Sequence, residues 1–518
     1  INERKMGFIS GDRSQTIILG HCLDDFVSKD SKAKYIVEIV NKLDLRELYS
    51  RYSSQGGEAI DPRLQLCTWF FGYTEGVTST RKLEESCKKH VEFIYISANV
   101  QPDHTSLSRF RQKHMDLIPK YFVEIVRMAG KRGLSEFKEI AVDGTKLPSV
   151  SSKKKSMRGE EIEYKLRKTE KDIHEYFEKI EKEDNKTEVA KALRKLQKKK
   201  EKLERAKELL AKRKEEVKPQ SRENHQINIE EPEARMINLG PSKGSFPGYN
   251  VQVSTDMKTH LIVSGEVVAE VNDERQFIAQ YDNTEKVLGE DKERKYVADG
   301  GYNTHDTIEK IEKEGIEGYI GNRRRSRSTE EKIKENRNLS KDDFKYDEEK
   351  DLYICPAGKE LHLCQTVIEK DRKVRQYKCR ECGGCKLKML CLGKNNKSEE
   401  RVIRRDEREK YVNEMKRKIE SDVGKEMMFK RMTTVEPVIG NIKSNMRNTR
   451  FRLKGLAAVN GEFMYMCIAH NLNKLFKMLV RSKTGRSFGL IEHFCYLLIL
   501  RVGQMLKMRK MGLKFAGI

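Results

Sequence analysis

The amino-terminal part of the chain spaces its apolar residues in the manner of short amphipathic helices. Asp61-Pro62 predicts a helix start, because proline is favoured in the first turn of a helix. Farther on, Asp103 can cap a helix over 104–114, in which Leu107 and Phe110 share one face. Short helices that end in one rich in Arg, Lys, Ser and Gln are typical of helix-turn-helix DNA-binding proteins, although a plain helical bundle with a charged outer face fits equally well.

The middle of the chain changes to the pattern of strands that alternate with helices. The predicted elements are a short apolar strand over 138–146 that ends at Asp143-Gly144, an antiparallel hairpin over 249–254 and 260–268, a helix around 276–288, a strand from 295 that ends at Asp299-Gly300, a helix over 304–314 and a strand over 318–321. This order predicts an α/β fold with a mixed sheet flanked by helices.

Two insertions interrupt this α/β pattern. Residues 152–218 are rich in Lys and Glu, and apolar residues recur there every seven positions at Val189, Leu196, Leu203 and Leu210, with Leu193 beside them. This spacing predicts a helical hairpin or coiled coil, in which Asn185 to Glu188 can form a capping box for the second helix. Residues 322–430 are basic and rich in Cys, and the pattern predicts few strands in them.

The balance of charge points to a polyanionic partner. The 518 residues include 105 Lys and Arg but 81 Asp and Glu, a formal net charge of +24. Nucleic acid is the simplest such partner, and the alternative is a basic protein whose lysines serve only its solubility. No apolar run approaches the ~20 residues that a membrane-spanning helix needs, and the first residues show no signal-peptide core, so we expect a soluble intracellular protein.

The cysteines predict a metal site rather than a disulfide framework. Six of the eleven lie in one short stretch, at Cys355, Cys364, Cys379, Cys382, Cys385 and Cys391. The spacing is that of a tetrahedral zinc site, with five or six candidates for four places. Four thiolates leave no open coordination position, so a structural zinc is favoured over a catalytic one, and an iron–sulfur cluster is the minor alternative.

Three carboxylates can form a second metal site. Asp143 and Asp299 both follow short buried strands, where open α/β sheets place their ligands. Because proline is tolerated only in the first turn of a helix, Pro437 places Glu436 at a helix start, with Lys443 two turns later on the same face. Three such carboxylates can hold two divalent cations for the displacement of a phosphodiester oxygen.

The residues around these acids form blocks in a fixed order: 141–146 (AVDGTK), 247–252 (PGYNVQ), Asn272-Asp273, 298–302 (ADGGY), 435–443 (VEPVIGNIK), 452–455 (RLKG) and 469–472 (AHNL). The set resembles bacterial insertion-sequence DDE transposases, which have an RNase H-like catalytic domain. The segment from Gly72 to Arg111 resembles the DNA-binding domain of that family. The likeness covers most of the chain except the Lys/Glu-rich arm.

The resemblance implies that Asp143, Asp299 and Glu436 bind two Mg²⁺ or Mn²⁺ ions and catalyse strand cleavage at the ends of an insertion sequence and strand transfer into target DNA. The implied partner is double-stranded DNA, on which a homodimer is expected. Similar transposases carry a zinc knuckle that favours Cys355, Cys382, Cys385 and Cys391 as ligands, with Cys379 and Cys364 as alternates. The expected contacts to DNA are Lys443, Arg431, Arg109, Arg111, Lys146 and Arg450.

One motif of that family is altered in this chain. The pattern Tyr-x2-Arg-x3-Glu-x6-Lys keeps Glu436 and Lys443 but has Phe429 and Met432 at the Tyr and Arg positions. Arg431, one residue early, is the candidate substitute for the arginine. Two other functions stay open, namely a DNA-binding derivative that no longer cuts and an RNase H-like nuclease.

The patterns and the resemblance together divide the chain into segments with expected roles. They are an amino-terminal helical DNA-binding domain (1–135), an RNase H-like core in two parts (136–151 and 221–321), a helical coiled-coil insertion (152–220), a Cys-rich insertion (322–430), carboxy-terminal catalytic helices (431–482) and a basic helical tail (483–518).

Overall fold

A computed structural model describes residues 22–52, 59–180, 186–215, 225–238, 244–322, 328–369, 372–393 and 399–483. The predicted basic tail, apart from its first residue, lies outside these ranges. So does Asn185 of the predicted capping box.

The amino-terminal segment is helical, as its apolar spacing predicts. Its helices are α1 (Lys32–Val40), α2 (Arg46–Ser50), α3 (Pro62–Thr74), α4 (Thr80–Lys89), α5 (Val91–Ile96), α6 (His104–Lys113) and α7 (Ile118–Lys131). The predicted helix starts are confirmed, because the carboxylate of Asp61 accepts the Arg63 N–H and that of Asp103 accepts two N–H groups at the start of α6. Trp69 on α3 is fully buried in the hydrophobic core.

A helical arm leaves the core after strand β1 (Glu139–Pro148). It consists of β2 (Ser156–Met157), α8 (Gly159–Ile180), α9 (Lys186–Glu215) and β3 (Ile227–Asn228), and the two helices pack against each other. Val189, Leu193, Leu203 and Leu210 are buried in the arm, whereas Leu196 is half-buried. The predicted helical hairpin is therefore confirmed, and its seven-residue repeat marks the packed face.

A mixed sheet confirms the predicted α/β fold class. Its remaining strands are β4 (Arg235–Asn238), β5 (Ser245–Asp256), β6 (Ile262–Val268), β7 (Lys295–Ala298) and β8 (Gly318–Ile320). The order across the core is β6–β5–β1–β7–β8, in which β5 is antiparallel to both neighbours and β1, β7 and β8 are parallel. Helices α10 (Gln276–Leu288) and α11 (His305–Glu314) occupy the predicted positions.

The Cys-rich segment contains a second sheet, so the expectation of few strands there is wrong. It is an antiparallel sheet formed by β9 (Lys345–Asp347), β10 (Leu352–Ile354), β11 (Glu360–Glu369), β12 (Arg372–Lys378) and β13 (Val402–Asp406), with the short helices α12 (Thr329–Lys334) and α13 (Lys388–Leu392) beside it. Most side chains of β11 are exposed. Few apolar residues, among them Leu361, Tyr377 and Ile403, build its small core, and a sheet with so little buried surface leaves a weak apolar pattern in the sequence.

The carboxy-terminal helices connect the sheet to the amino-terminal helices. They are α14 (Glu409–Glu420), α15 (Asp422–Gly440) and α16 (Leu456–Lys483), and a π-helical turn at Asn441–Asn445 follows α15. Helix α16 packs against β6 on one side and against α3 and α7 on the other, so it joins the sheet to the amino-terminal helices. Within the described ranges, no helix is long and apolar enough to span a bilayer.

Two polar residues of α16, His470 and Asn471, bind the backbone at the edge of the sheet. The side-chain amide of Asn471 accepts the N–H of Ile262 at 2.9 Å and donates to its carbonyl at 2.8 Å, as a neighbouring strand would. His470 donates from Nε2 to the carbonyl of His260 at 2.9 Å, and its Nδ1 faces the side-chain amide of Asn441 at 3.0 Å. A neutral imidazole satisfies both contacts.

Acid should destabilise the fold through His470. Burial lowers the pKa of this fully buried residue to about 4, whereas the pKa in an unfolded chain is about 6.5. The unfolded state therefore takes up a proton that the folded state refuses as the pH falls from 6.5 towards 4, so the free energy of unfolding drops in this window by about 3 kcal/mol. We expect His470→Gln to reduce the acid dependence of the thermal unfolding midpoint.

The matched control is His362→Gln, because His362 is exposed on β11. This substitution should leave the acid dependence unchanged. Equal slopes for wild type and His470→Gln between pH 6.5 and 4 would contradict the assignment.

Candidate functional site

Asp143 and Asp299 lie side by side because β1 and β7 run parallel in register. Val142 pairs with Ala298, the last residue of β7, so the two aspartates occupy the next pair of positions. Neighbouring strands are about 4.8 Å apart, which brings the carboxylates into electrostatic contact. The sequence interpretation is confirmed for β7 but not for β1, which continues to Pro148 instead of ending at Asp143, because β5 pairs with it beyond that point.

Both oxygens of Asp143 are bound. Oδ1 accepts the N–H of Gly144 at 2.8 Å, and Oδ2 forms an ion pair with Nη1 of Arg431 at 3.1 Å. Burial raises the pKa of the Asp143 carboxyl to about 6, Arg431 acts against this rise, and the charge of Asp299 adds to it. Asp299 in turn caps the short 3-10 helix Gly300–Tyr302 and accepts the N–H of Gly301 at 2.8 Å.

A third aspartate, Asp273, lies close to Gly144 and Gly301, and the sequence analysis did not predict it as a site residue. Its Oδ1 accepts hydrogen bonds from the side-chain amides of Asn250 and Gln252, at 2.8 and 2.6 Å. A Cβ at Gly144 would lie 2.5 Å from this oxygen, and a Cβ at Gly301 would lie 3.7 Å from Oδ2. In the sequence, Asp273 belongs to the Asn272-Asp273 block just before α10. That block supported the resemblance to a family, but no role in the site was predicted for Asp273.

A chain of polar contacts holds Asp273 in place. Tyr302 donates its hydroxyl hydrogen to Oε1 of Gln252, which leaves the amide nitrogen of Gln252 free to donate to Asp273. Burial raises the pKa of Tyr302, and the charges of Asp273, Asp143 and Asp299 raise it further. The phenol therefore stays a neutral donor beneath three carboxylates.

Glu436 lies within a helix and not at a helix start, which corrects the prediction made from Pro437. Helix α15 runs from Asp422 to Gly440 with Pro437 inside it. The proline cannot donate to the carbonyl of Thr433, but Thr433 is exposed, so water can bind that carbonyl. The irregularity shows immediately afterwards as the π-helical turn Asn441–Asn445.

Helix α15 crosses the sheet above the two aspartates and is attached on both sides of Glu436. It contacts β1, β5, β7 and β8. Arg431 binds Asp143, and Lys443 in the π-helical turn donates to the hydroxyl of Thr145 on β1. The side chain of Glu436, between these two anchors along the helix, is exposed.

The donor chemistry of this site fits a hard divalent cation, because carboxylate oxygens are the ligands that Mg²⁺ prefers. The geometry brings Asp143, Asp273 and Asp299 into one neighbourhood and places Glu436 on the helix above. However, no group of three His, Cys, Asp or Glu side chains converges on one metal position in the described ranges. The arrangement is that of a site in which Arg431 supplies the positive charge next to Asp143.

The predicted DNA contacts differ in exposure. Arg109 on α6 is exposed. Arg111 is buried, with its guanidinium 4.4 Å from the centre of the Trp69 ring, so we no longer count it as a contact to DNA. Lys146 is half-buried on β1, and the exposed Arg450 donates to the carbonyl of Ser149 at 2.9 Å.

The cysteines of the second sheet gather around one small pocket. Cys355, Cys379, Cys382, Cys385 and Cys391 line it, whereas Cys364 is exposed on β11. Burial raises the pKa of Cys379 and of Cys391 to about 11. The structure thus removes Cys364 from the alternates and keeps five candidates, although these five do not reach metal-binding geometry either.

Comparison with known proteins identifies two transposase regions. Residues 354–476 match a transposase DDE domain, and residues 21–113 match a transposase domain of the DUF772 family. The first match contains Glu436 and Lys443, whereas Asp143 and Asp299 lie between the two matches. No curated protein matches the chain. The two matches support the resemblance of this chain to insertion-sequence DDE transposases, and a DDE domain implies an RNase H-like fold.

Proposed function

We propose that this transposase binds the ends of an insertion sequence and catalyses metal-dependent cleavage and transfer of DNA strands, with Asp143, Asp299 and Glu436 as its acidic triad. The observation that carries the proposal is the register of β1 and β7, which sets Asp143 beside Asp299. Helix α15, which carries Glu436, contacts these two strands, and this supports Glu436 as the third acid. DDE transposases in general use divalent metals and act on DNA.

The three acidic residues would act together as ligands of the divalent cations. Asp143 and Asp299 present carboxylates from the sheet, and Glu436 presents a third from α15. These carboxylates would hold two Mg²⁺ or Mn²⁺ ions, which would activate a water or the 3′-hydroxyl of a DNA strand and stabilise the leaving oxygen. The N–H of Gly301, 2.8 Å from Oδ1 of Asp299, keeps that carboxylate in a fixed orientation.

Basic residues around the end of β1 support contact with DNA phosphates next to the acids. Lys443 binds Thr145, Lys146 is the next residue, and Arg450 donates to the carbonyls of Ser149 and Val150. Three cations attached to one short segment can fix a phosphodiester backbone in register with the carboxylates. Arg109 on α6 is proposed as a separate contact of the amino-terminal helices, and the homodimer on DNA stays a prediction.

A structural zinc ion is proposed for the Cys-rich segment. Cys355, Cys382, Cys385 and Cys391 remain the favoured ligands, and the convergence of these four and Cys379 on one pocket supports a metal site there. The N–H of Lys359 donates to Sγ of Cys355 at 3.3 Å, as backbone groups commonly do around metal-binding thiolates. Zinc would replace apolar surface as the source of stability in a sheet that has a small core.

Loss of either sheet aspartate should abolish the chemistry. We expect Asp143→Asn and Asp299→Asn to lower Mg²⁺-dependent nicking and strand joining by at least about 100-fold, because each removes a charged ligand. The assay uses a plasmid that carries the DNA flanking the coding region, and Asp282→Asn, an exposed change on α10, is the matched control.

The same assay separates the alternatives. Specific binding without nicking by the wild type would indicate a derivative that no longer cuts. Nicking without joining through a free 3′-hydroxyl would indicate a nuclease. Full activity of both Asn variants would overturn the triad.

Lys443 should contribute to the affinity for DNA. We expect Lys443→Gln to weaken binding to the end DNA and to lower the slope of log affinity against log salt by about 1, because one phosphate contact is lost. Fluorescence anisotropy over a range of salt concentrations measures both. An unchanged salt slope would contradict the contact, and Lys191→Gln on the exposed face of α9 is the control.

Zinc content can be measured directly. We expect about one zinc per chain by mass spectrometry of the purified protein, and its loss with a lower unfolding midpoint in Cys382→Ser. Cys364→Ser should keep the metal, because Cys364 lies outside the pocket. Zinc-free wild-type protein with the stability of the zinc-containing form would contradict a structural role.

A further inference from the structure

The contact between Arg431 and Asp143 joins a helix to the centre of the sheet. Nη1 of Arg431 lies 3.1 Å from Oδ2 of Asp143, and the two side chains are 9% and 18% exposed. The distance lies within the ordinary range of an N–H···O hydrogen bond, and the ion pair is largely screened from solvent. An ion pair in such a place acts strongly on any other cation that approaches the same carboxylate.

Arg431 makes this contact at a cost. Its Nε is buried and finds no hydrogen-bond partner among the described residues. An unsatisfied buried donor is unfavourable, so the guanidinium is held by the charge of Asp143 rather than by a complete set of hydrogen bonds. A side chain held in this way can give up its partner when a stronger cation arrives.

The neighbouring acids explain why a cation is needed there. Asp299 occupies the position next to Asp143 on the neighbouring parallel strand, and Arg431 binds Asp143 from α15. Among the described residues, Oδ1 of Asp273 accepts hydrogen bonds from the neutral amides of Asn250 and Gln252. Arg431 therefore offsets the repulsion between adjacent carboxylates.

We propose that Arg431 is a built-in counter-ion that competes with the divalent cation for Asp143 and thereby sets the metal affinity of the site. The inference rests on the proposed function, because it takes Asp143 as a metal ligand. Arg431 is a positioning residue in this role: it holds the carboxylate until the metal binds and must leave Oδ2 when it does.

The test is the affinity of the full-length protein for Mn²⁺ alone, measured by titration with detection of free Mn²⁺ by electron paramagnetic resonance. We expect Arg431→Met, which keeps length and apolar packing but removes the charge, to bind Mn²⁺ about tenfold more tightly than the wild type. Arg431→Lys, which restores the charge, should return the affinity towards the wild-type value. Lys430→Met, an exposed change on the same helix, should not alter it.

Two outcomes separate this inference from the proposed function. If Asp143→Asn loses Mn²⁺ binding but Arg431→Met gains none, the role of Arg431 is overturned and the metal site stands. If Asp143→Asn binds Mn²⁺ as the wild type does, the proposed function itself fails, and the role of Arg431 fails with it. Should Arg431→Met not fold, Arg431→Gln, which keeps a donor for Asp143 without the charge, gives the same comparison with the same criteria.

Discussion

Two like charges held at adjacent positions of neighbouring parallel strands are the constraint around which this molecule is arranged. Because Val142 and Ala298 pair, Asp143 and Asp299 cannot move apart without breaking the ladder between β1 and β7. Burial and the charge of Asp299 both favour protonation of Asp143. Such an arrangement is unfavourable for stability alone, and it is compensated by groups that come from distant parts of the chain.

The groups that bind the aspartates of the site come from separate elements. Helix α15 contributes the guanidinium of Arg431, which binds Asp143 from above. Strand β5 contributes the amides of Asn250 and Gln252, which hold Asp273 beside the pair. Gly144 allows this approach, because a Cβ at that position would lie 2.5 Å from both Asp273 and Gln252. Gly144, strand β5 and helix α15 thus all contribute to the surroundings of the three aspartates.

Sequence patterns predicted the elements well wherever burial is extensive and regular. The starts of α3 and α6, the hairpin of β5 and β6, and helices α10 and α11 follow from caps and from apolar periodicity. The second sheet was missed because most of β11 faces solvent, so alternation of apolar and polar residues is weak there. The continuation of β1 beyond Asp143 was missed because it depends on β5, a partner more than 100 positions away in the chain.

The amino-acid sequence by itself determined the residue types of the site: two Asp-Gly pairs after apolar strands, a Glu before Pro437 and a Lys seven positions later. It could not place Glu436 inside a helix, since the tolerance for Pro437 depends on an exposed carbonyl at Thr433 and on the packing of α15 over the sheet. Only the tertiary structure decided that Arg431 binds Asp143, that Arg111 is buried beside Trp69, and that Asp273 joins the aspartates. Each of these depends on side chains that meet across long separations in the chain, and local patterns carry no information about such meetings.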